Sequence, residues 1–212
     1  MNKFFTLLIC CFFLLKTAAA QPETVDAIKS NFAKYNKAIS AQNGKEAVNY
    51  IDHKTIAYYD KILNFAKTSD SAKVSQFPLL DKLTVLVLRN KLTKQEIKSF
   101  DGRTFLAYSF DNRMNKSTGF DLGEITIKAS NAKAQITIGD RSSSEYIEFN
   151  QEDGQWKIDL TSVFPLTEKY MKEMIQKNFD GDENKFCLSV ANGAADKEAK
   201  KISGTRLNNG IR

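Results

Sequence analysis

The sequence predicts an α+β fold, with N-terminal helices packed on a curved antiparallel sheet. Three observations carry that prediction. Apolar residues recur every three or four positions from Val25 to about Phe100, and every two from Thr104 onward. Asp153-Gly154 sits between two runs of alternating polarity, and Asp-Gly is a preferred pair for the two-residue type I′ turn, which needs positive φ at both positions. Helical runs come before strand runs, an order that segregates the helices on one face of the sheet.

Residues 1–20 read as a cleaved signal peptide. Lys3 supplies a positive start, Phe4 to Leu15 is an apolar run, and Ala18-Ala19-Ala20 is a small-residue cleavage site before Gln21. The run is too short to span a bilayer. Cys10 and Cys11 lie inside it rather than after it, so neither is placed for lipidation. The expectation is an exported protein, periplasmic or secreted, with no stable membrane anchor. Loss of the leader leaves Cys187 as the single cysteine, which excludes an internal disulfide and a thiolate metal cluster. Losing Lys3 and Lys16 also lowers the formal charge of +6 to +4. With lysines and acids interspersed and no basic block, nucleic acid is not an expected partner.

The spacing of Val25, Ile28, Phe32, Tyr35 and Ile39 predicts a first amphipathic helix from Pro22 or Thr24, ending near Asn43-Gly44. A short helix follows from Lys45 to Ile51. Asp52 then caps a third helix, His53 to Lys67, whose apolar members are Ile56, Tyr59, Ile62, Leu63 and Ala66. Ser69-Asp70-Ser71 reads as a polar break. Pro78 opens a fourth helix to about Asn90, although its TVLVL core suits a buried strand equally. Thr93 and Glu96 have capping-box spacing and start a short helix through Phe100.

Asp101-Gly102 is expected to turn the chain into the sheet. Five strands are predicted: Thr104–Phe110 with Leu106, Tyr108 and Phe110 on one face, Gly123–Lys128, Lys133–Ile138 with Ala134, Ile136 and Ile138 inward, and the two arms of the Asp-Gly hairpin. Counting outward from that turn, Gln151 faces Trp156, Phe149 faces Ile158 and Ile147 faces Leu160, so one face is apolar. A one-residue slip would send that set to solvent, so pattern and turn fix the register together. Pro165 precedes a last helix, Thr167–Lys177. Residues 22–177 thus form one domain, and 178–212, rich in Gly, Asp, Asn, Lys and Ala, read as a flexible polar tail with Cys187 as a bystander thiol.

This order of elements, closed by the hairpin FNQEDGQWKIDL from Phe149 to Leu160, resembles the NTF2-like (SnoaL-like, cystatin-related cone) superfamily in its exported bacterial branch, over about Glu23 to Phe164. The chain departs from that pattern in its long helical region from Lys54 to Phe100 and in the helix after the sheet. The resemblance implies a cone-shaped sheet and a homodimer paired across it. The superfamily hosts isomerases, dehydratases and cyclases as well as domains without chemistry, so membership transfers no function.

Asp52 and His53, with Tyr58 and Tyr59 nearby, are the candidate catalytic group, because His53 is the one histidine and histidine is the side-chain type suited to proton transfer near neutral pH. Members of the superfamily place such groups inside the cone to move a proton. The competing role, favoured by their position at a helix start, is capping. Glu148 and Asp159 face each other across the hairpin as a possible carboxylate pair, with solvent and Lys157 expected to disperse the repulsion. Tyr59, Tyr108, Phe110, Phe149 and Trp156 are the candidate ligand-binding aromatics, or simply core. A lone histidine excludes a multi-histidine zinc site, Asp180, Asp182 and Glu183 are too few for a calcium loop, and Ser142-Ser143-Ser144 lacks a Gly-x-Ser-x-Gly elbow. Neither a metal nor a cofactor is expected. The function expected is therefore an exported non-catalytic domain binding a small apolar ligand or a partner protein. An isomerase or dehydratase using His53 and Asp52, and an inhibitor or immunity-type protein, are the alternatives.

Overall fold

The computed structural model describes residues 22–114, 120–139 and 141–193. The expected leader lies outside them. Helices fill the first half: α1 (Pro22–Ser40), α2 (Gly44–Ala47) running into a 3-10 turn at Val48–Tyr50, α3 (His53–Thr68), α4 (Ser71–Ser75), α5 (Leu79–Lys91), α6 (Lys94–Ser99) and α7 (Gly102–Asp111). Four strands follow, β1 (Asp121–Lys128), β2 (Asn131–Ile138), β3 (Arg141–Glu152) and β4 (Gln155–Asp159), and then a 3-10 turn at Leu160–Val163, α8 (Phe164–Asn178) and α9 (Glu183–Ala191).

Short polar side chains start most of these helices, because the first turn of a helix leaves its backbone N–H groups without partners. Asn43, Asp52, Asp70 and Asp182 each accept a hydrogen bond from the N–H three residues on. Thr93 with Glu96, and Asp101 with Thr104, form reciprocal capping boxes.

The sheet is antiparallel in the order β1-β2-β3-β4. The hairpin has the expected register, with Gln151 opposite Trp156 and Phe149 opposite Ile158, and φ is positive at Asp153 (51°) and Gly154 (75°). Leu160, expected opposite Ile147, has already left the ladder for the 3-10 turn. Ile138, expected inward, lies past an irregularity in the β2–β3 ladder between Gln135 and Thr137 and is 62% exposed.

Two expectations about whole elements also fail. The stretch from Thr104 to Phe110 is not a strand but most of α7, so the described sheet has four strands rather than five. Its buried residues are Phe105, Leu106, Ser109 and Phe110, a helical spacing that turns Tyr108 away from Leu106 and Phe110. Residues 178–193 are not tail-like either. Asp182 caps α9, whose Phe186 and Cys187 are buried against Leu79 and Leu83 of α5 and Ile175 and Phe179 at the end of α8. Cys187 is a core residue there, not a bystander thiol. The rest of the expected tail, 194–212, lies outside the described residues.

Three apolar clusters hold these layers together. The first joins α1, α7 and the inner face of the sheet, with Ile28, Phe32, Phe110, Phe149, Trp156 and Ile158 among its members. A second joins α3, α5, α6 and α7 around Ile62, Leu63, Val85, Leu88 and Phe105. The third is the seat of α9. Each fully buried large side chain contributes roughly 1.5–3 kcal/mol relative to an exposed one, so the sheet's inner face is held mainly by Phe149, Ile147 and Ile158, all at most 1% exposed.

Candidate functional site

Asp52 is fully buried at the start of α3, and both its carboxylate oxygens are engaged. Oδ1 accepts the Thr55 N–H at 2.8 Å, and Oδ2 accepts Nδ2 of Asn150 at 2.8 Å. Its own N–H donates to the Ile158 carbonyl at 3.0 Å. Burial pushes the Asp52 carboxyl above the usual carboxylate range, against the opposing pull of the Thr55 and Asn150 donors. His53 faces water: its side chain is 73% exposed, with Nδ1 2.6 Å from Oε2 of Glu152. The His53 N–H also donates to the Glu152 carboxylate, so the pair clips the start of α3 to the end of β3.

Asp159 does face Glu148 across the hairpin, but the two carboxylates do not share a proton site. Asp159, fully buried, accepts Nζ of Lys54 at 2.7 Å and the Thr161 N–H at 2.8 Å, whereas Glu148 pairs with Lys133 at 2.8 Å. Lys157, the expected neutralising partner, takes no part in either pair. The whole group ties α3 to β3 and β4, and it lines neither of the two concavities described below.

A cavity of about 530 Å³ lies deeper, between α1, α3, α5, α7, β3 and the first turns of α8. Phe32, Phe105, Phe110, Phe120 and Phe164 supply its aromatic walls, and α5 adds Leu80, Leu83 and Val87. None of its described lining side chains is charged. Three tyrosines bring the polar atoms. Tyr58 donates to Oδ1 of Asp81 at 3.0 Å, and Asp81 in turn holds Nζ of Lys61 at 3.1 Å. Tyr58 also packs edge-on against Tyr59 and Phe164, with ring centroids 5.1 and 4.8 Å apart. Burial pushes the Tyr35 and Tyr58 phenols well above their ordinary value, and the neighbouring Tyr59 phenol adds to both shifts. Both are neutral hydrogen-bonding groups at neutral pH. The Thr84 and Thr167 hydroxyls donate to the Leu80 and Val163 carbonyls within their own turns.

Of the five aromatics singled out from the sequence, Tyr59 and Phe110 line this cavity. Phe149 lies behind its wall, edge-on to Phe32 at 6.3 Å. Tyr108 is carried elsewhere by the helical twist of α7 and packs on Phe100 at 5.1 Å. Trp156 lines a separate, polar concavity. Sequence reading placed Tyr58 with the Asp52–His53 group rather than among the cavity aromatics, and did not single out Tyr35, although it sits on the apolar stripe of α1. It also missed the contribution of α5, which depends on how the helices cross. Among the described residues, no group of three or more His, Cys, Asp or Glu is placed to hold a metal ion.

No protein family and no curated protein matches the chain. A solved structure described as an NTF2-like transpeptidase from Campylobacter jejuni is similar over 61% of this chain and 94% of that one, at 15% identity and a TM-score of 0.25. A superposition that loose carries no argument about fold or activity. What stands on the geometry alone, among the described residues, is an α+β arrangement with helices on a four-stranded antiparallel sheet and an aromatic-walled cavity between them whose described lining carries no charge.

Proposed function

We propose that this chain is an exported, non-catalytic binding domain of NTF2-like cone form whose cavity takes a small, uncharged, largely apolar ligand. The observation that carries the reading is the 530 Å³ space walled by aromatic rings and aliphatic side chains with no charge among its described lining residues. An ionic ligand would lose its hydration there without gaining a counter-charge, a cost of several kcal/mol. An apolar one gains about 0.8 kcal/mol for each methylene it buries. At the roughly 30 Å³ a water occupies in the liquid, the space admits on the order of 18 water-sized atoms. The Tyr35 and Tyr58 phenols supply fixed points for one polar group. Support for the cone comes from the order of elements and the final hairpin, and support for export from the leader pattern of residues 1–20.

The test combines native mass spectrometry of the protein isolated from its own compartment with titration of the neutral fluorophore N-phenyl-1-naphthylamine. The expected result is a bound mass lost on denaturation and saturable one-to-one dye binding. Val87→Trp, which fills the cavity from α5, abolishes the dye signal while circular dichroism stays unchanged. Dye binding that never saturates, or that survives in the filled variant, would overturn the reading.

A further inference from the structure

A second concavity, of about 610 Å³, opens between α1, the 3-10 turn after α2, the start of α7 and the β3–β4 turn. Its chemistry is the opposite of the first. Lys34 reaches it from α1, Arg103 from α7 and Lys157 from β4, so three cations converge from three separate elements. Glu46 is the one carboxylate among its described lining residues, and it is occupied: Tyr50 donates to it at 2.6 Å and Asn49 at 3.4 Å. Lys34 and Lys157 form no ion pair among the described residues. Arg103 donates one Nη2 hydrogen bond to Oδ1 of Asn49 at 2.5 Å, which aims the guanidinium and leaves its other N–H groups for a ligand.

The site excludes two bland readings. A solvated basic helix face would carry its charges on one element, whereas these converge on a hollow from three. A nucleic-acid stripe would follow a groove with repeated cations and stacking rings, and the sequence has none. What surrounds the cations is amide chemistry suited to hydroxyl groups. Asn31 donates Nδ2 to the Trp156 carbonyl at 3.0 Å, which fixes the orientation of its amide, and Gln155 and Asn49 add further amides at the rim. Trp156, 4% exposed and held in the core, contributes to the lining. A concave site with an excess of positive charge focuses field on a small anion, and a fixed guanidinium fork matches a carboxylate or phosphate bidentately.

We infer that this concavity binds a small hydroxylated anion, a sugar acid or a sugar phosphate, with Arg103, Lys34 and Lys157 on the anionic group and the rim amides on the hydroxyls. The inference is independent of the apolar cavity and its ligand.

Because Trp156 is the only tryptophan in the chain, its indole resonance is assigned without ambiguity, and the Gly154 amide reports from the rim beside it. The protein, labelled with nitrogen-15, is titrated separately with glucuronate, glucose 6-phosphate and glucose, following the Trp156 indole and Gly154 amide. One or both anions should give saturable shifts that glucose does not, and the tighter of the two identifies carboxylate or phosphate as the recognised group. The double variant Arg103→Gln with Lys157→Gln should weaken binding at least tenfold, and Lys34→Gln alone several-fold. All three side chains are at the surface, so the backbone spectrum should otherwise be retained. Equal shifts with glucose, binding unchanged in both variants, or no saturable shift from either anion at about 10 mM, ten times what a 1 mM site requires, would overturn it.

Discussion

Gly44→Ala tests the packing that puts α7, and with it Phe105 and Phe110, against the cavity. A Cβ on Gly44 would lie 1.9 Å from the Ala107 carbonyl oxygen, 2.7 Å from its carbon and 2.9 Å from its Cα. Ordinary carbon-to-oxygen approaches are about 3.3 Å or more, so α2 and α7 must separate by over an ångström. Every obstructing atom is backbone, and none can swing aside. Moving α2 also strains the hydrogen bond from the Gly44 N–H to Oδ1 of Asp111, 2.5 Å long. One effect opposes the clash: alanine in a helix gains about 0.5–1 kcal/mol over glycine by losing less backbone freedom on folding. Overpacking typically costs about 1–3 kcal/mol, and an obstacle made only of backbone belongs at the top of that range or above it. The clash wins, with a net loss of about 2–3 kcal/mol. With a urea slope of about 2 kcal/mol/M, the unfolding midpoint should fall by about 1–1.5 M. Gly154→Ala is the control, since its φ is 75° and nothing lies within 4 Å of the added carbon. It carries only the left-handed penalty of about 1 kcal/mol, about 0.5 M. A Gly44→Ala midpoint at or above the parent's would refute the close approach of α2 to α7.

Two further outcomes follow from burial. Tyr35 and Tyr58 have folded pKa values raised above the ordinary 10.0, chiefly by desolvation. The folded protein therefore keeps protons that the unfolded chain releases above pH 10, so this contribution to stability is complete below that pH and is lost as pH rises through and beyond it. A phenolate absorbance titration should show these two of the seven tyrosines ionising only as the protein unfolds, and Tyr35→Phe should raise the alkaline midpoint. Reversible titration of all seven with the fold intact would contradict their burial. Cys187, fully buried and with its thiol pushed up to about 11, should resist a disulfide reagent in the native chain from Gln21. Phe186→Ala, which removes a neighbour worth about 3–5 kcal/mol, should accelerate its labelling by about two orders of magnitude or more, whereas rapid labelling of the parent would mean that α9 does not hold its seat.

The hairpin was legible because two independent signals, turn chemistry at Asp153-Gly154 and alternation on both arms, agree on one register. The helices α1, α3 and α6 were legible from spacing and caps in the same way. The segment at Thr104–Phe110 was misread because TFLAYSF satisfies both periods: Leu106, Tyr108 and Phe110 alternate, while Phe105, Leu106, Ser109 and Phe110 share a helical face. The signal that decides it is Asp101 with Thr104, the same capping spacing that marked Thr93 with Glu96, with threonine in place of glutamate. In α9 the capping Asp182 and the spacing of Phe186, Cys187 and Ala191 were present but sat in a polar background that resembles a tail. The cavity itself was only partly legible. Tyr59 and Phe110 are locally recognisable aromatics, but the walls from α5 and α8 follow from helix crossings, which no local pattern encodes.

The group that looked most like chemistry has instead a geometric consequence for the cavity. Asp52 fixes the first turn of α3 through the Thr55 N–H and Asn150, the Thr55 hydroxyl accepts the Leu160 N–H at 3.0 Å, and Lys54 reaches buried Asp159. Through Asp52, Lys54 and Thr55 these bonds join the helix start to β3, β4 and the 3-10 turn after β4, so the helix cannot rotate about its axis without breaking several of them. Tyr58 and Tyr59 lie six and seven residues on from Asp52, about 9–10 Å along the axis, and their direction is set by that rotation. At the same distance Gly102 closes the other side: its N–H donates to Oδ1 of Asp60 at 2.6 Å, and a side chain there would meet the Ile56 carbonyl at 2.3 Å. With α3 pinned to the sheet at its start and to α7 along its second turn, Tyr58 and Tyr59 are held over the cavity by polar contacts that never touch it. The buried carboxylates of Asp52 and Asp159 act on the cavity wall by orienting α3, and their oxygens are taken up in doing so.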